Sequence, residues 1–369
     1  MKIAMLGTRG VPASYSGFET CVEQIGKRLA ARGHEVVVYC RRGRTGEGAS
    51  TVYLGMERVT LPAIRTKGTE TLSHTLLSSA HAMVSARPDA AIVFGVGNAL
   101  FCRLLSWAGI PSIINVDGAD WARKKWGLFG RRYLHWSERV ATRAADALIA
   151  DSQAVSAYYQ REYRAAGVFI PYGAEVPAEA GTATLDQFGL RPRGYLLAVG
   201  RFVPENGFDQ LIAAYRDVQS PMPFAVVGDA PYSEEYKRRL KAMAPPGVIF
   251  TGYRFGSAYH ELSRHAYAFL FGAEVGGTHP VLVEQLAHGN CVLARWTESN
   301  AEVMGDAGIF FRDSAELVAR LREILGDPAL VERTRAVARA KGASFSWDRV
   351  TDQYEELLFR VAKRARAAA

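Results

Sequence analysis

The sequence has four cysteines in 369 residues, and Cys21, Cys40, Cys102 and Cys291 stand too far apart to share a metal-ligand spacing. Neither a zinc site nor a disulfide framework follows; buried thiols in a reducing compartment do. No Asp-x-Asp pair occurs, which removes a common carboxylate clamp for a divalent cation. The longest apolar run, Ala90 to Cys102, is interrupted at Asn98 and stopped by Arg103, short of the roughly 20 residues of a spanning helix. The chain opens directly on the strand-like Lys2-Ile3-Ala4-Met5-Leu6, without a charged leader, apolar region or cleavage site. A cytoplasmic protein, at most at the inner face of the cell membrane, is the expectation. Repeats and nucleic-acid recognition motifs are also missing, which argues against a solenoid and a nucleic-acid partner.

What is present is apolar mass: 49% hydrophobic and 22% charged residues exclude a disordered or fibrous chain. At roughly 100–200 residues per domain, the length predicts two domains. The formal net charge of +8 is unevenly placed. Residues 1–180 carry 22 basic and 15 acidic side chains, residues 181–369 carry 23 and 22. Such an asymmetry fits an anionic or membrane-surface partner for the first half, and a solvated basic surface equally well.

Strands and helices alternate throughout. Ile3–Gly7, Glu35–Tyr39, Ala90–Phe94, Ser112–Val116 and Ala147–Ala150 read as strands, with helical periodicity over Gly17–Arg32. The pattern restarts at Tyr195–Gly200, with a helix at Phe208–Val218, strands at Phe224–Val227, Val248–Phe250, Ala268–Phe271 and Cys291–Ala294, and a helix at Pro280–His288. Strands apolar on both faces suit parallel sheets covered by helices. The expected fold is therefore α/β, with two Rossmann-like domains over residues 1–180 and 185–345. The aperiodic stretch Glu175–Thr184 reads as a linker, and residues 346–369 as a helical tail that packs back on the first domain. Ligands of such domains bind at the carboxyl ends of the strands.

The loops after those strands hold the candidates. Gly7-Thr8-Arg9-Gly10 follows the first strand and Gly17 opens the first long helix, where glycines allow backbone N–H groups to approach a ligand. This is not the GxGxxG fingerprint, and no acidic residue stands where a nicotinamide ribose needs one; a structural tight turn fits equally. Arg201 follows the strand ending at Gly200, with Asn206 five residues on; a permanently charged fork suits a diphosphate. Gly276-Gly277-Thr278-His279-Pro280 then feeds a helix that ends at Gly289, with Thr278 or His279 available to cap and Pro280 at its favoured first position. Glu284 lies one turn into this helix among Val, Leu and Ala, a costly place for a carboxylate without a partner, and ribose hydroxyls would supply one. In the first half, Asp117 and Asp151 follow strands. Trp121, Arg123, Lys125 and Trp126 interleave rings with cations, as an anionic interface requires.

The combination of Gly200-Arg201 with a Gly-rich turn feeding the Glu284 helix resembles glycosyltransferase family 4, of GT-B fold. Gly7-Thr-Arg-Gly-Val-Pro-Ala…Gly17-Phe-Glu-Thr20, Asn115-Val-Asp-Gly118…Trp121…Lys125-Trp126 and Val275-Gly-Gly-Thr-His-Pro280 resemble its rhamnosyltransferase-like subgroup. The resemblance implies two domains facing a cleft and transfer of a sugar, with retention, from a nucleotide diphosphate donor to a hydroxyl. A metal or other cofactor is not implied. Arg201 and Asp117 would be catalytic, Arg201 by offsetting charge on the leaving diphosphate. Gly10, Asn206, Gly276, Gly277, Thr278 and His279 would line the donor, Tyr253 would meet the base, and Glu284 would hold the ribose. Asp117 would orient the acceptor or touch the donor sugar; Arg9, Gly17, Trp121, Arg123, Lys125 and Asp151 would line a saccharide or lipid-linked acceptor.

Three positions depart from the pattern. Asn206 stands where many members have lysine, Gly276 where the wider family has glutamate, and Phe271 and Ala273 where the subgroup tends to have histidines. Loss of a carboxylate facing the donor sugar suits a 6-deoxy sugar, so rhamnose from dTDP-rhamnose is the expected donor. A UDP- or GDP-sugar donor, an epimerase or phosphorylase on the same scaffold, and a nucleotide-sugar-binding protein with a degenerate site remain alternatives.

Overall fold

In the computed structural model, which describes all residues except 15, 44–49, 67, 117, 119, 123–125, 231–232 and 369, the chain divides into two units. Unit 1 is Met1–Tyr172 together with Trp347–Ala369, and unit 2 is Gly173–Ser346.

Unit 1 is built on β1 (Lys2–Leu6), β2 (Glu35–Arg41), β3 (Val52–Tyr53), β4 (Met56–Leu61), β5 (Ala90–Phe94), β6 (Ser112–Val116), β7 (Ala147–Ala150) and β8 (Val168–Phe169). They pair in the order β3-β4-β2-β1-β5-β6-β7-β8, all parallel except β3 against β4. Ile3, Ala4, Leu6 and all of β5 are fully buried, because helices cover both faces. The helices are α1 (Gly17–Ala31), α2 (Glu70–His81), α3 (Ala99–Trp107), α4 (Leu128–Ala144) and α5 (Gln153–Tyr163). Right-handed crossovers from β4 through β7 put α2, α3 and α4 on one face, and the reverse step from β1 to β2 puts α1 on the other.

Unit 2 contains α6 (Ala183–Gln187), β9 (Leu196–Val199), α7 (Phe208–Val218), β10 (Phe224–Val227), α8 (Glu234–Met243), β11 (Val248–Gly252) and α9 (Gly256–Arg264). There follow β12 (Ala268–Phe271), α10 (Pro280–Ala287), β13 (Cys291–Arg295), α11 (Glu298–Met304), β14 (Ile309–Phe311), α12 (Ser314–Gly326) and α13 (Pro328–Gly342). The sheet runs β11-β10-β9-β12-β13-β14, wholly parallel. Taken in chain order, that is the 3-2-1-4-5-6 arrangement of a dinucleotide-binding domain, with its order reversing between β9 and β12. In unit 1 the reversal falls between β1 and β5.

The last element, α14 (Trp347–Ala368), belongs to unit 1. Trp347, Val350, Tyr354, Leu357, Leu358 and Val361 recur at helical spacing, and all are nearly or fully buried against the sheet and α1. Arg28–Asp348, Arg32–Glu355 and Arg32–Asp352 ion pairs flank the contact at 2.6–2.8 Å. The boundary falls at Tyr172 rather than at 180, and the Glu175–Thr184 stretch is part of unit 2. There Thr184 N–H donates to Glu261 Oε2 at 2.7 Å and Ala174 N–H bonds Phe345 O at 3.2 Å. Short range periodicity shows none of these contacts, so the stretch reads as linker from sequence.

Candidate functional site

In unit 2 the two loops at the reversal point are joined to each other. The loop after β9 carries Gly200 to Gly207, the loop after β12 carries Gly272 to His279, and Glu274 N–H donates to Glu205 O at 2.9 Å. A Cβ on Gly207, whose φ is +67°, would sit 2.6 Å from Gly272 O. Two backbones at that separation require glycine, which is why both loops carry it. The crossing brings the Arg201 loop and the Gly276–His279 turn to one end of the sheet.

Within the first loop, Asn206 Nδ2 donates to Arg201 O at 2.8 Å and Val203 N–H donates to the same oxygen at 2.8 Å. The amide nitrogen of Asn206 thus shapes the turn that carries the partly buried Arg201, instead of projecting as a second donor. In the second loop Gly277 and Thr278 are buried, and His279 is the N-cap residue of α10, with no side-chain cap. Its ring packs edge-on against Phe271, centroids 5.1 Å apart, and closes over Gly276, where a Cβ would lie 2.7 Å from His279 Cε1. Pro280 takes the first helical position and has no N–H; Leu282 and Val283 turn back to His279 O.

Glu284 is partly buried on α10. Burial pushes its carboxyl up to about 7, opposed by the Tyr259 hydroxyl, which donates to Oε2 at 2.5 Å. Gln285 Nε2 holds that hydroxyl from the other side at 3.2 Å and reaches Ser263 Oγ at 2.8 Å. Among the described residues no hydrogen bond to Oε1 is found, so that oxygen is an acceptor at the disposal of a ligand. A carboxyl poised near neutrality beside a helix N-terminus can bind hydroxyls when ionised. Tyr259 is missing from the sequence reading. It lies 25 residues upstream on α9, and no local periodicity pairs α9 with α10. Tyr253, one residue beyond β11, is at the same end of the sheet, stacked on Phe255 with centroids 5.7 Å apart.

Unit 1 arranges its candidates differently. Gly10 N–H donates to Thr8 Oγ1 at 3.1 Å and Arg9 N–H to Glu19 Oε1 at 3.0 Å, so these donors close the loop after β1 on itself. Glu19, at the third position of α1, also accepts from Ser16 N–H at 2.6 Å and Ser16 Oγ at 2.7 Å, and Glu23 accepts from Ala13 N–H at 2.8 Å. The Ser16-x-x-Glu19 spacing is a capping-box signal that the sequence contained and the reading did not use. Gly17 is the first residue of α1.

Asp151 is 1% exposed beyond β7, near Cys21 and Tyr354, whose ionisations it opposes. Asn115 Nδ2 donates to Tyr354 Oη at 2.8 Å in the same interior cluster. Trp121 is also turned inward: its Nε1 donates to Tyr158 Oη at 3.3 Å and its ring lies 4.5 Å from that of His135. Trp121 and Trp126 are both partly buried and pack against the unit 1 core. Asp117, Arg123 and Lys125 lie outside the described residues.

Residues 193–327 match the family model described as glycosyl transferases group 1. Most of unit 2 is therefore similar to group 1 glycosyl transferases. Residues 1–175 match a second model, described as a domain of unknown function (DUF1972). No curated protein matches the chain. Among solved structures, sucrose-phosphate synthase from Thermosynechococcus elongatus superposes with a TM-score of 0.82 at 19% identity, covering 100% of both chains. Anabaena HepE in complex with UDP-glucose gives 0.80 at 20% identity, over 98% of this chain and 100% of HepE. WaaG, a glycosyltransferase involved in lipopolysaccharide biosynthesis, gives 0.75 at 19% identity, over 97% and 99%. With two parallel-sheet units, these superpositions give the chain the GT-B fold. The matched segment contains every sequence-predicted donor residue except Gly10.

Proposed function

We propose that the chain is a glycosyltransferase that moves a sugar from a nucleoside diphosphate donor to a saccharide or lipid-linked acceptor, with retention and without a metal. The observation that carries this reading is Glu284: a carboxyl held near neutrality by burial, one oxygen on Tyr259 and the other unclaimed, on the helix that follows the Gly276–His279 turn. The match of residues 193–327 to group 1 glycosyl transferases and the UDP-glucose complex of HepE support a nucleotide-sugar donor.

In this reading Glu284 accepts ribose hydroxyls, Tyr253 meets the base, and the turn offers N–H groups to phosphate oxygens. Arg201 offsets the charge that grows on the diphosphate as its bond to the anomeric carbon breaks. The acceptor oxygen bonds to that carbon from the same face, and its proton passes to the departing phosphate oxygen. Rhamnose is the proposed sugar. Support comes from Gly276, which offers no carboxylate to the donor sugar.

The test is a thermal-shift screen with dTDP, UDP and GDP, followed by turnover of the matching sugar donors with and without acceptor. Stabilisation by one diphosphate and acceptor-dependent release of it support transfer; a ligand at 100 times its Kd adds about 2.7 kcal/mol. Release without acceptor, or only with inorganic phosphate, overturns transfer in favour of an epimerase or phosphorylase. The commitment of the Asn206 amide to Arg201 O favours a second reading, a nucleotide-sugar-binding protein, which predicts stabilisation with no turnover.

A further inference from the structure

Helices α2, α3 and α4 form the outer layer on one face of the unit 1 sheet, each the neighbour of the next. The outward side of such a layer is ordinarily polar. Here eight of the fifteen large apolar side chains exposed among the described residues lie on it or on the turn that follows α2. Leu76, Leu77 and Val84 are exposed along α2 and that turn, and α3 presents Leu100 and Trp107, the latter 72% exposed. The first turn of α4 holds out Leu128 and Phe129, 77% and 89% exposed, with Trp136 two turns along. Single exposed apolar residues are normal on any surface; a concentration on adjoining helices marks a partner.

Charge decides which partner. The three helices contain five arginines, Arg103, Arg131, Arg132, Arg139 and Arg143, and every one is exposed. Their two acids, Glu70 and Glu138, are both buried, Glu138 under the hydroxyls of Tyr158 and Tyr163 at 3.0 and 2.6 Å. The layer thus offers rings and guanidinium groups with no exposed helix carboxylate among them. Arg103 even lies over the Trp107 ring, 5.7 Å from its centroid. A protein partner would call for a core depleted of charge. Cations interleaved with protruding aromatic and aliphatic tips fit a bilayer, where phosphates and acyl chains lie at adjacent depths.

We propose that the α2–α4 face docks unit 1 on an anionic lipid bilayer, with Leu128, Phe129 and Trp136 entering the boundary between headgroups and acyl chains and the five arginines meeting lipid phosphates. The inference rests on this surface alone and stands or falls independently of the transfer reaction.

Co-sedimentation of the full chain with phosphatidylcholine vesicles, with and without about 30% phosphatidylglycerol, tests it without any nucleotide. Binding to the anionic vesicles at least ~10-fold tighter than to phosphatidylcholine alone, and weakened by salt, is expected. The triple variant Leu128→Ser/Phe129→Ser/Trp136→Ser should lower that binding ~10-fold or more, whereas Val337→Ser, an exposed apolar position of unit 2, should leave it unchanged. Should the triple variant lose its cooperative melt, Arg131→Glu/Arg132→Glu/Arg139→Glu decides, and is expected to abolish binding. Equal binding to both vesicles, wild-type binding by the arginine variant, or a self-association that the triple variant abolishes would overturn the proposal; the last would assign the face to a second copy of the chain.

Discussion

If Glu284 accepts ribose hydroxyls, nucleotide binding must be coupled to its ionisation. The carboxyl stands near 7 in the free protein, and only the ionised form is a full acceptor. About one-tenth is ionised at pH 6 and about nine-tenths at pH 8, so affinity should rise roughly 10-fold between them, with uptake of ligand releasing a proton at the acid end. A terminal phosphate titrates near pH 6 and bends the curve in the same direction. Glu284→Gln removes only the first contribution. Calorimetry with UDP at pH 6, 7 and 8, in two buffers of different ionisation enthalpy, therefore compares the two proteins: their affinity ratio should widen ~10-fold towards pH 8. The variant should also be the more stable at neutral pH. A folded pKa above the unfolded value of 4.5 means that ionising Glu284 costs stability, absent below about pH 4.5 and complete above about pH 7. At ~1.4 kcal/mol per unit the ceiling is ~3 kcal/mol, reduced because the side chain keeps some contact with water. An affinity ratio that stays flat across this range would refute the assignment of Glu284 to the ribose.

Tyr259→Phe deletes the hydrogen bond that lowers the Glu284 pKa, so the pH at which UDP affinity reaches half its maximum should move upward, read by the same titration. Arg201→Ala should reduce turnover of the donor by ~10²–10³-fold while the protein still melts cooperatively, because the bonds from Asn206 and Val203 that close the turn go to the Arg201 carbonyl, which the substitution keeps. Turnover within a few fold of wild type would remove Arg201 from the diphosphate. Leu358→Ala, at the buried seam of α14, should destabilise unit 1 by about 2–5 kcal/mol in urea unfolding, and a change within ~0.5 kcal/mol would show that α14 is not part of its core.

The sheets were legible because their strands are short and apolar on both faces: Ala90–Phe94, Ser112–Val116, Ala147–Ala150, Phe224–Val227 and Ala268–Phe271 have the same limits in sequence and structure. The edge hairpin of β3 and β4 was not, since Met56–Leu61 alternates buried and exposed residues and has no uniform apolar run. The site divided along the same line. Arg201 and the Gly276–His279 turn are local patterns of glycine, proline and charge, and could be read. Tyr259, the Glu274–Glu205 contact and the Gly207–Gly272 crossing depend on which strands neighbour each other, information that a linear pattern does not contain. The packing of the tryptophans was hidden for a related reason. Trp121 beside a run of cations looks amphipathic in sequence, but Tyr158 and His135, from α5 and α4, fold over it.

The two reversal points also differ in a way that favours the proposed binding of the anionic part of a donor to unit 2. In unit 1 the amino end of α1 already holds a carboxylate: Glu19 gathers the N–H groups of Arg9 and Ser16, and Glu23 that of Ala13. An internal anion there meets the helix dipole and leaves a diphosphate facing like charge. In unit 2 the amino end of α10 has no acid in its first turn, its N-cap side chain makes no cap, and its one carboxylate stands a turn further in with a pKa raised towards neutrality. The first end is closed by its own sequence and, in the proposed reaction, would suit an uncharged hydroxyl partner. In the proposed reaction the second would turn its positive potential to the phosphates, with Glu284 set back where a ribose would follow.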